Sequence, residues 1–365
     1  MQEALVAAGH PGCQQGNGIF IKPCVQQEVD FYHRLLEKDS PLLDVVPVFM
    51  GTLVSGAKKA HDQLLLNEDL EQIDPDQFSQ LASDGELSIV LRDELVGFVK
   101  PTIADIKLGF RLWDEMAPAA KKQRLDNVSK TTTSGSLGFR IAGMSVVLPD
   151  GSRKVFDKQF GREPTAENIN DYLVQLFPQV ENEYVWAVID SIVQRIEHII
   201  ECLKLEPTKM YSCSLLIIYE GSLSDLQAKI EHQYQAEPEQ DSDTDGDLED
   251  EPAMVTVKLI DFAHSTLASE PDLQVIEGLN NVSKHLMPNT IEDIREFVEL
   301  ASRKDVKSVI IKTNSDSSTK FKLRGHRFVY TLNVESAERA KKIRESLPPG
   351  LDIVDISSKA PKFAI

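Results

Sequence analysis

An α+β fold in two parts is what this sequence predicts. Three observations carry the prediction. The chain has 365 residues, more than one ordinary hydrophobic core organises. Apolar, β-rich runs such as LSIVLRD, PTIADIKLG and CSLLIIYEG are interspersed with stretches of helical periodicity. Charge is also divided: the net −19 splits into −23 over residues 1–286 (24 basic, 47 acidic) and +4 from Met287 onward (15 basic, 11 acidic). Such asymmetry points to two parts with different partners. A composition 41% hydrophobic and 27% charged excludes a wholly disordered chain.

The elements follow in order. GIFIKP, residues 18–23, reads as a short strand. QQEVDFYHRLLEK places Val25, Val29, Tyr32 and Leu36 at helical spacing, which predicts an amphipathic helix. VVPVFMGTLV, LSIVLRD and PTIADIKLG read as strands, and DEMAPAAKKQRLDNVSK as a polar helix after Pro118. TTTSGSLGFRIAGMSVVL reads as a loop entering a strand, with DGSRKVFDKQF as its hairpin partner. Two long helices are expected over about 165–177 and 181–204, then the buried strand CSLLIIYEG. Residues 237–251 hold nine acids and no base, so a disordered acidic loop is expected over about 233–252. Ser242 and Thr244 there each have an Asp three residues on, a pattern for acidophilic phosphorylation, although a solvated loop is its commoner meaning. VTVKLIDFAHS returns as a strand ending in Asp261, and a short helical piece closes at Leu286.

From Met287 the chain changes character. TIEDIREFVELASRKD predicts a helix capped by Thr290, with Asp293 three residues on and an apolar stripe of Ile294, Phe297 and Leu300. VKSVIIKT and KFKLRGHRFVYTLNV read as strands and ESAERAKKIRESL as a helix. The four cysteines, Cys13, Cys24, Cys202 and Cys213, form no C-x-x-C pair and are expected to be reduced, mostly buried thiols of an intracellular protein. MQEALVAAGHPG has no basic n-region and is not expected to be a signal peptide; SLLIIY is too short to span a bilayer.

Several residues carry chemistry. Asp105 and Lys107 lie two apart in an apolar run, so in a strand they share a face. They are either a surface ion pair of little worth or two working parts of a site. Lys22 closes a strand and Glu28 opens the next helix, the arrangement by which kinases hold a Lys against nucleotide phosphates. Asp261 ends a strand, where a carboxylate can hold Mg2+. Lys121, Lys122, Arg124 and Lys130 form a basic run. Each has an ordinary reading as well: a strand-end Lys usually snorkels, an Asp after an apolar pair often caps a turn, and a KKQR run is most often a solvated helix face. Neither an H-R-D loop nor a G-x-G-x-x-G loop is present, which argues against a protein kinase.

PTIADIKLG fits the P-x-x-x-D-x-K-x-G signature of the inositol polyphosphate kinase family, and KTTTSGSLGFRIAGM, CSLLIIYEG and VKLIDFAHS resemble further blocks of that family in its order. The resemblance covers about residues 8–286 and looks most like the fungal multikinases. It implies a two-lobed kinase fold, distantly like protein kinases, with ATP between the lobes and Mg2+ as the metal. It also implies roles: Lys22 on the ATP phosphates, the backbone from Arg92 to Glu94 as the adenine-reading hinge, and Asp105 on the ribose. Lys107 would reach the transferring phosphoryl group and substrate, Asp261 would ligate Mg2+, and His264 with Lys121, Arg124 and Lys130 would face substrate phosphates. Two positions depart from the family's habit: Arg92 stands where Glu is common, and Cys213 where Ser is.

TIEDIREFVELASRKDVKSVIIK, TKFKLRGHRFVYTL and ESLPPGL resemble the small eukaryotic large-subunit ribosomal protein thirty-eight. That implies a small α/β domain over 287–365 bound to ribosomal RNA, with Lys320, Lys322, Arg324 and Arg327 as phosphate contacts; Phe328 and Tyr330 can pack or stack on bases, and core packing is the favoured reading. HLMPNT offers no spacer between the parts, as the joining of two neighbouring reading frames would produce. Together these readings make the chain an ATP- and Mg2+-dependent inositol polyphosphate kinase (domain 1–286) acting on inositol trisphosphate and tetrakisphosphate, joined to a ribosomal module. They place it in the nucleus and cytoplasm, with the ribosome for the module. The alternative is a non-catalytic ribosome component or scaffold with a degenerate kinase part; a lipid kinase acting on the same head group is a further one.

Overall fold

The structure is a computed structural model that describes residues 2–3, 12–54, 87–180, 182–235, 254–286, 289–291, 293–303, 306, 308–313, 318–324 and 329–355. Its first lobe is a five-stranded antiparallel sheet and one helix. β1 (Gln2–Glu3), β2 (Gln14–Gly16) and β3 (Ile19–Pro23) precede α1 (Gln26–Glu37), and β4 (Phe49–Val54) and β5 (Leu87–Arg92) complete the sheet in the order β1-β2-β3-β5-β4. Pro23 is the last residue of β3, and Cys24 N–H still reaches the Leu87 carbonyl at 2.8 Å before the chain turns into α1. α1 then starts from extended Val25 without a side-chain cap; Glu28 in its first turn lies at the positive end of the helix dipole. The apolar stripe of α1 is wider than its spacing suggested. Val29, Phe31, Tyr32 and Leu35 are buried, while Val25 and Leu36 are exposed.

The second lobe opens with β6 (Pro101–Leu108), α2 (Ala119–Lys130), α3 (Thr133–Leu137), β7 (Phe139–Val147), β8 (Arg153–Phe156), α4 (Ile169–Leu173) and α5 (Glu183–Leu205). β9 (Thr208–Met210), β10 (Ser214–Glu220), α6 (Leu223–Gln235), β11 (Val255–Ile260), β12 (Ser265–Leu267) and α7 (Leu273–Leu286) follow. The main sheet is antiparallel in the order β11-β10-β6-β7-β8, and β12 pairs with β9 apart from it. β6 and β10 are central and covered on both faces, which is why both read as near-continuous apolar runs. α5 is capped by the Asn182 side chain accepting from Tyr184 N–H at 2.8 Å, and its buried stripe from Val185 through Ile192 and Ile199 to Leu203 packs against β11 and α7.

Three expectations change here. The loop before β7 contains the short helix α3, capped by Thr132 and ended by left-handed Gly138. The first of the two long helices is only α4 and a following 3-10 turn, Val174–Leu176. Of the acidic segment, residues 233–235 belong to α6; the rest, with Ser242 and Thr244, lies outside the described residues.

The third part comprises β13 (Asn289–Ile291), α8 (Ile294–Ala301), β14 (Ser308–Thr313), β15 (Thr319–Arg324), β16 (Val329–Val334), α9 (Ala337–Ser346) and β17 (Asp352–Asp355). Its mixed sheet runs β13-β16-β15-β14-β17, and α8 and α9 close a separate core around Phe297, Phe321, Leu323 and Ile343. Thr290 does not cap α8, because residues 289–291 pair in parallel with β16; Asp293 does so, accepting from Arg295 N–H at 2.7 Å.

Helix α7 meets the β6–β7 end of its sheet through Gly278, where a Cβ would lie 2.4 Å from the Gly138 carbonyl oxygen. Helix propensity favours Gly278→Ala by about 1 kcal/mol. Overpacking against backbone costs about 1–3 kcal/mol and should win or cancel the gain. We expect a thermal unfolding midpoint that is lowered or unchanged; a clearly raised midpoint would show that α7 moves away freely.

Candidate active site

Between the two sheets lies a cleft that opens to solvent. Phe20 and Lys22 of β3, residues Leu91 to Leu95, Ile103 and Asp105 of β6, Leu216 and Ile218 of β10, and Ile260 and Asp261 line it. Apolar walls with a few polar groups at one end suit a flat aromatic base carrying a charged tail.

The charged end is a cluster of four side chains from four elements. Lys22 Nζ donates to Glu28 Oε1 at 2.9 Å and to Asp261 Oδ1 at 2.7 Å. Lys107 Nζ donates to the other oxygen of Asp261 at 3.1 Å and to the Ser212 carbonyl at 2.9 Å. Phe262 N–H donates to Glu28 Oε1 at 3.0 Å, which ties α1 of the first lobe to the second. All four side chains are 15% exposed or less. Burial by itself pushes the Lys22 ammonium toward the neutral form, but Asp261 and Glu28 more than reverse this and raise its pKa. Asp261 adopts φ +67° and Ser212 φ +57°, left-handed conformations that cost a non-glycine residue energy and are held here by their partners.

Asp105 and Lys107 do share a face of β6, since Asp105 lines the cleft and Lys107 reaches Asp261. The segment from Asp93 to Lys100, after β5 and before β6, bridges the lobes. Arg92 is exposed, whereas burial raises the pKa of Glu94 against the opposing pull of Lys258 and Arg92. Three residues beyond Asp261, His264 places Nε2 3.2 Å from Lys121 Nζ and Nδ1 2.5 Å from Asp114 Oδ2. Arg124 and Lys130 are exposed on α2, and Lys130 sits at its last turn, half a turn out of phase with Lys121. The helix therefore points Lys121 and Lys130 in opposite directions.

Sequence reasoning missed the groups that fix the bridge. Asp93 is buried and accepts from Gln15 Nε2 at 2.8 Å and from Leu95 N–H at 2.9 Å. Glu220 accepts from the N–H groups of Val99 and Lys100 at 2.8 and 3.0 Å, and Lys229 joins it to the Gly97 carbonyl. Only the Glu of the YEG triplet, an acid at the end of an otherwise apolar strand, carried a visible signal.

A divalent cation fits this donor set in one way. Among the described residues no three His, Cys, Asp or Glu side chains gather as a metal cage. Mg2+ commonly takes one or two protein carboxylates and completes its shell with water and nucleotide phosphates. Asp261 supplies one carboxylate at the mouth of the polar end, and Glu28 Oε2 is a buried oxygen without a hydrogen-bond partner.

In the third part, Lys320 is partly exposed on β15, while Lys322 is buried and ion-paired with Asp190 at 3.0 Å. Arg324 ends β15, Tyr330 packs against the core of this part, and Arg327 and Phe328 lie outside the described residues. No described helix is long and apolar enough to cross a membrane.

Residues 88–287 match the family model described as inositol polyphosphate kinase, and residues 287–354 match that of the ribosomal L38e protein family. The chain is 31% identical to the inositol polyphosphate multikinase of Saccharomyces cerevisiae, over 76% of this chain and 94% of that protein. It is 49% identical to large ribosomal subunit protein eL38 of Candida albicans, over 19% of this chain and 100% of that protein. Its fold is similar to the crystal structure of inositol phosphate multikinase Ipk2 from S. cerevisiae in complex with ADP and Mn2+, with TM-score 0.55 and 28% identity over 74% of this chain and 98% of that one.

Cys13 lines the cleft beside Lys22, yet burial pushes its thiol up to about 11 despite the nearby ammonium. At pH 8 about one thiol in a thousand is then ionised. Iodoacetamide should label Cys13 of the folded protein at least about 100-fold more slowly than free cysteine at pH 8, with the rate climbing toward pH 11. Labelling at the free-cysteine rate, read by peptide mass, would contradict this environment.

Proposed function

The chain belongs to the inositol polyphosphate kinase family through residues 88–287 and to the ribosomal L38e family through residues 287–354, and from that premise we propose which of its residues do the work. It is an inositol phosphate kinase that uses ATP and a divalent metal, with an L38e module behind it. We place the boundary between the two at residues 286 and 287, where α7 has ended and β13 has not begun.

The apolar cleft takes adenine, with the backbone from Arg92 to Glu94 presenting its donors and acceptors, and Asp105 receives the ribose hydroxyls. Lys22, kept charged by Glu28 and Asp261, holds the nucleotide phosphates. Lys107 sits where the phosphoryl group passes between nucleotide and substrate and spreads positive charge over its oxygens. Asp261 would hold Mg2+, which would supply further neutralisation of the phosphate oxygens. Lys121 and His264 face the inositol phosphates, with Arg124 on the same side of α2 adding longer-range attraction; Lys130 points the opposite way, so this geometry does not favour it as a substrate contact. Turnover is thus positioning and electrostatics, with little covalent chemistry for the protein itself.

The single observation that supports this assignment most is the bracketing of Asp261 by Lys22 and Lys107, one cation on each carboxylate oxygen. A degenerate kinase part has no reason to keep so costly an arrangement buried. For the module, we propose ribosomal RNA as its partner at the large subunit, with Lys320, Lys322, Arg324 and Arg327 as phosphate contacts. A nuclear and cytoplasmic location, with the ribosome for the module, goes with that reading.

Purified full-length protein with ATP, Mg2+ and inositol trisphosphate should yield more highly phosphorylated inositols on anion-exchange chromatography. Lys107→Ala should lower kcat by about 100-fold or more, and Lys22→Ala should chiefly raise KM for ATP. Wild-type turnover in Lys107→Ala would remove Lys107 from the transfer step. Product from micelle-presented phosphoinositide, and none from soluble substrate, would favour a lipid kinase instead.

A further inference from the structure

The C-terminal sheet carries its own helices on one face only. Phe297 of α8 and Ile343 of α9 share a core with Val309, Ile311, Phe321, Leu323 and Leu332. Side chains alternate along a strand, so Ile310, Lys322 and Thr331 project from the other face. Strand register sets them side by side in one row across the sheet, with Val354 at its end. A two-layer unit of this kind leaves such a face open. In this chain it is covered: Ile310, Lys322 and Thr331 are 3%, 8% and 6% exposed.

Helix α5 of the kinase part provides the cover. Lys322 Nζ lies 3.0 and 3.2 Å from the two carboxylate oxygens of Asp190 and 5.1 Å from the ring centre of Trp186. Trp186 and Asp190 are one helical turn apart and so present a ring and a carboxylate together. Ile310 belongs to the apolar cluster of the kinase part, not to that of its own sheet, and Val354 packs against the same cluster. The contact is therefore apolar and ionic at once.

We propose that the open face of the C-terminal sheet is a docking surface for α5, and that RNA must displace α5 to reach Lys322. This rests on the reading of the module as an RNA binder. The carboxylate of Asp190 occupies the ammonium as a phosphate oxygen would, so the two anions exclude each other. Two residues separate α7 from β13, so α5 is always near at high effective concentration, and RNA competes against an intramolecular ligand. Lys320, two residues before Lys322 and partly exposed, projects from the same face and gives a polyanion its first hold. In the docked form RNA binding is weakened, and in the RNA-bound form α5 loses its cover.

The test uses the full-length protein and purified large-subunit ribosomal RNA. Carbodiimide should join the Asp190 carboxylate and the Lys322 amine in an amide, found by peptide mass, and rising RNA should suppress that link. Asp190→Lys should tighten RNA binding by about five-fold or more while leaving kinase turnover unchanged. Adding Lys322→Gln to Asp190→Lys should flatten the salt dependence of RNA binding by about one counterion, which loss of a merely structural contact would not do. Absence of the link in a chain that binds RNA overturns the docking. A link insensitive to saturating RNA, or Asp190→Lys binding no tighter than wild type, overturns the competition. A link with no RNA binding by either form overturns the RNA reading itself, and this inference with it.

Discussion

Two ammonium groups closing on one buried carboxylate are the constraint on which the rest of the kinase part depends. Lys22 and Lys107 each hold an oxygen of Asp261, and Glu28 answers the charge of Lys22 from behind. Taking four charges out of water costs several kcal/mol each, and leaving one of them unpaired costs about 3–5 kcal/mol. Losing one member of the cluster therefore destabilises its partners as well. Its members come from β3, α1, β6 and the end of β11, so the cost of breaking it fixes how the two lobes face one another. The left-handed backbone at Asp261 belongs to the same balance: strain at one residue is tolerated because two cations and the turn around Phe262 hold it.

From this cluster the cleft acquires its polarity. One end is cationic and holds a carboxylate that a phosphate-bound metal can share; the other is apolar, walled by Leu91, Ile103, Leu216 and Ile218. The strip from Asp93 to Lys100 closes the apolar end, and it is not slack. Gln15 and Leu95 N–H fasten Asp93, while Glu220 fastens the amides of Val99 and Lys100 from the second lobe. A backbone that reads a base by its own N–H and C=O groups has to be held at both ends, since an unfixed strip loses binding energy to ordering. The buried acids that fasten this strip, Asp93 and Glu220, bond backbone and amide groups, whereas both oxygens of Asp261 meet ammonium groups.

Much of this was legible because it is local. The spacing of Asp105 and Lys107 in a strand, the Lys at the end of β3 followed by Glu28 in the first turn of α1, and Asp261 after an alternating strand all follow from short-range periodicity. What local pattern could not give was anything set by distant pairing. Thr290 has the form of a cap, but parallel pairing with β16 draws residues 289–291 into a strand and leaves the cap to Asp293. Leu36 fits the stripe of α1, yet α1 is wedged between its own sheet and Phe262, so Phe31 and Leu35 are buried instead. Gln15 and Asp93 are 78 residues apart and gave no sign of one another. The resemblance makes Lys322 an RNA phosphate contact, and only the fold of the whole chain places Asp190 and Trp186 against it.

Charge asymmetry alone explains neither the site nor the docking. The kinase part is strongly acidic, yet its substrate is a polyanion; at physiological salt, charges more than about 8 Å apart at the surface are largely screened. What a polyanion meets is the potential of the nearest side chains, and at the proposed site around Asp261 and His264 those are Lys22, Lys107 and Lys121. The same reasoning applies to the two parts of the chain. Opposite net charges of −23 and +4 would at most bring them loosely together. Their register is set by contacts within reach of one another: Ile310 entering the larger apolar cluster, and one ammonium meeting one carboxylate over an indole ring. In both places a few desolvated groups decide the outcome, and the remaining charge, however large its sum, acts through water that has already screened it.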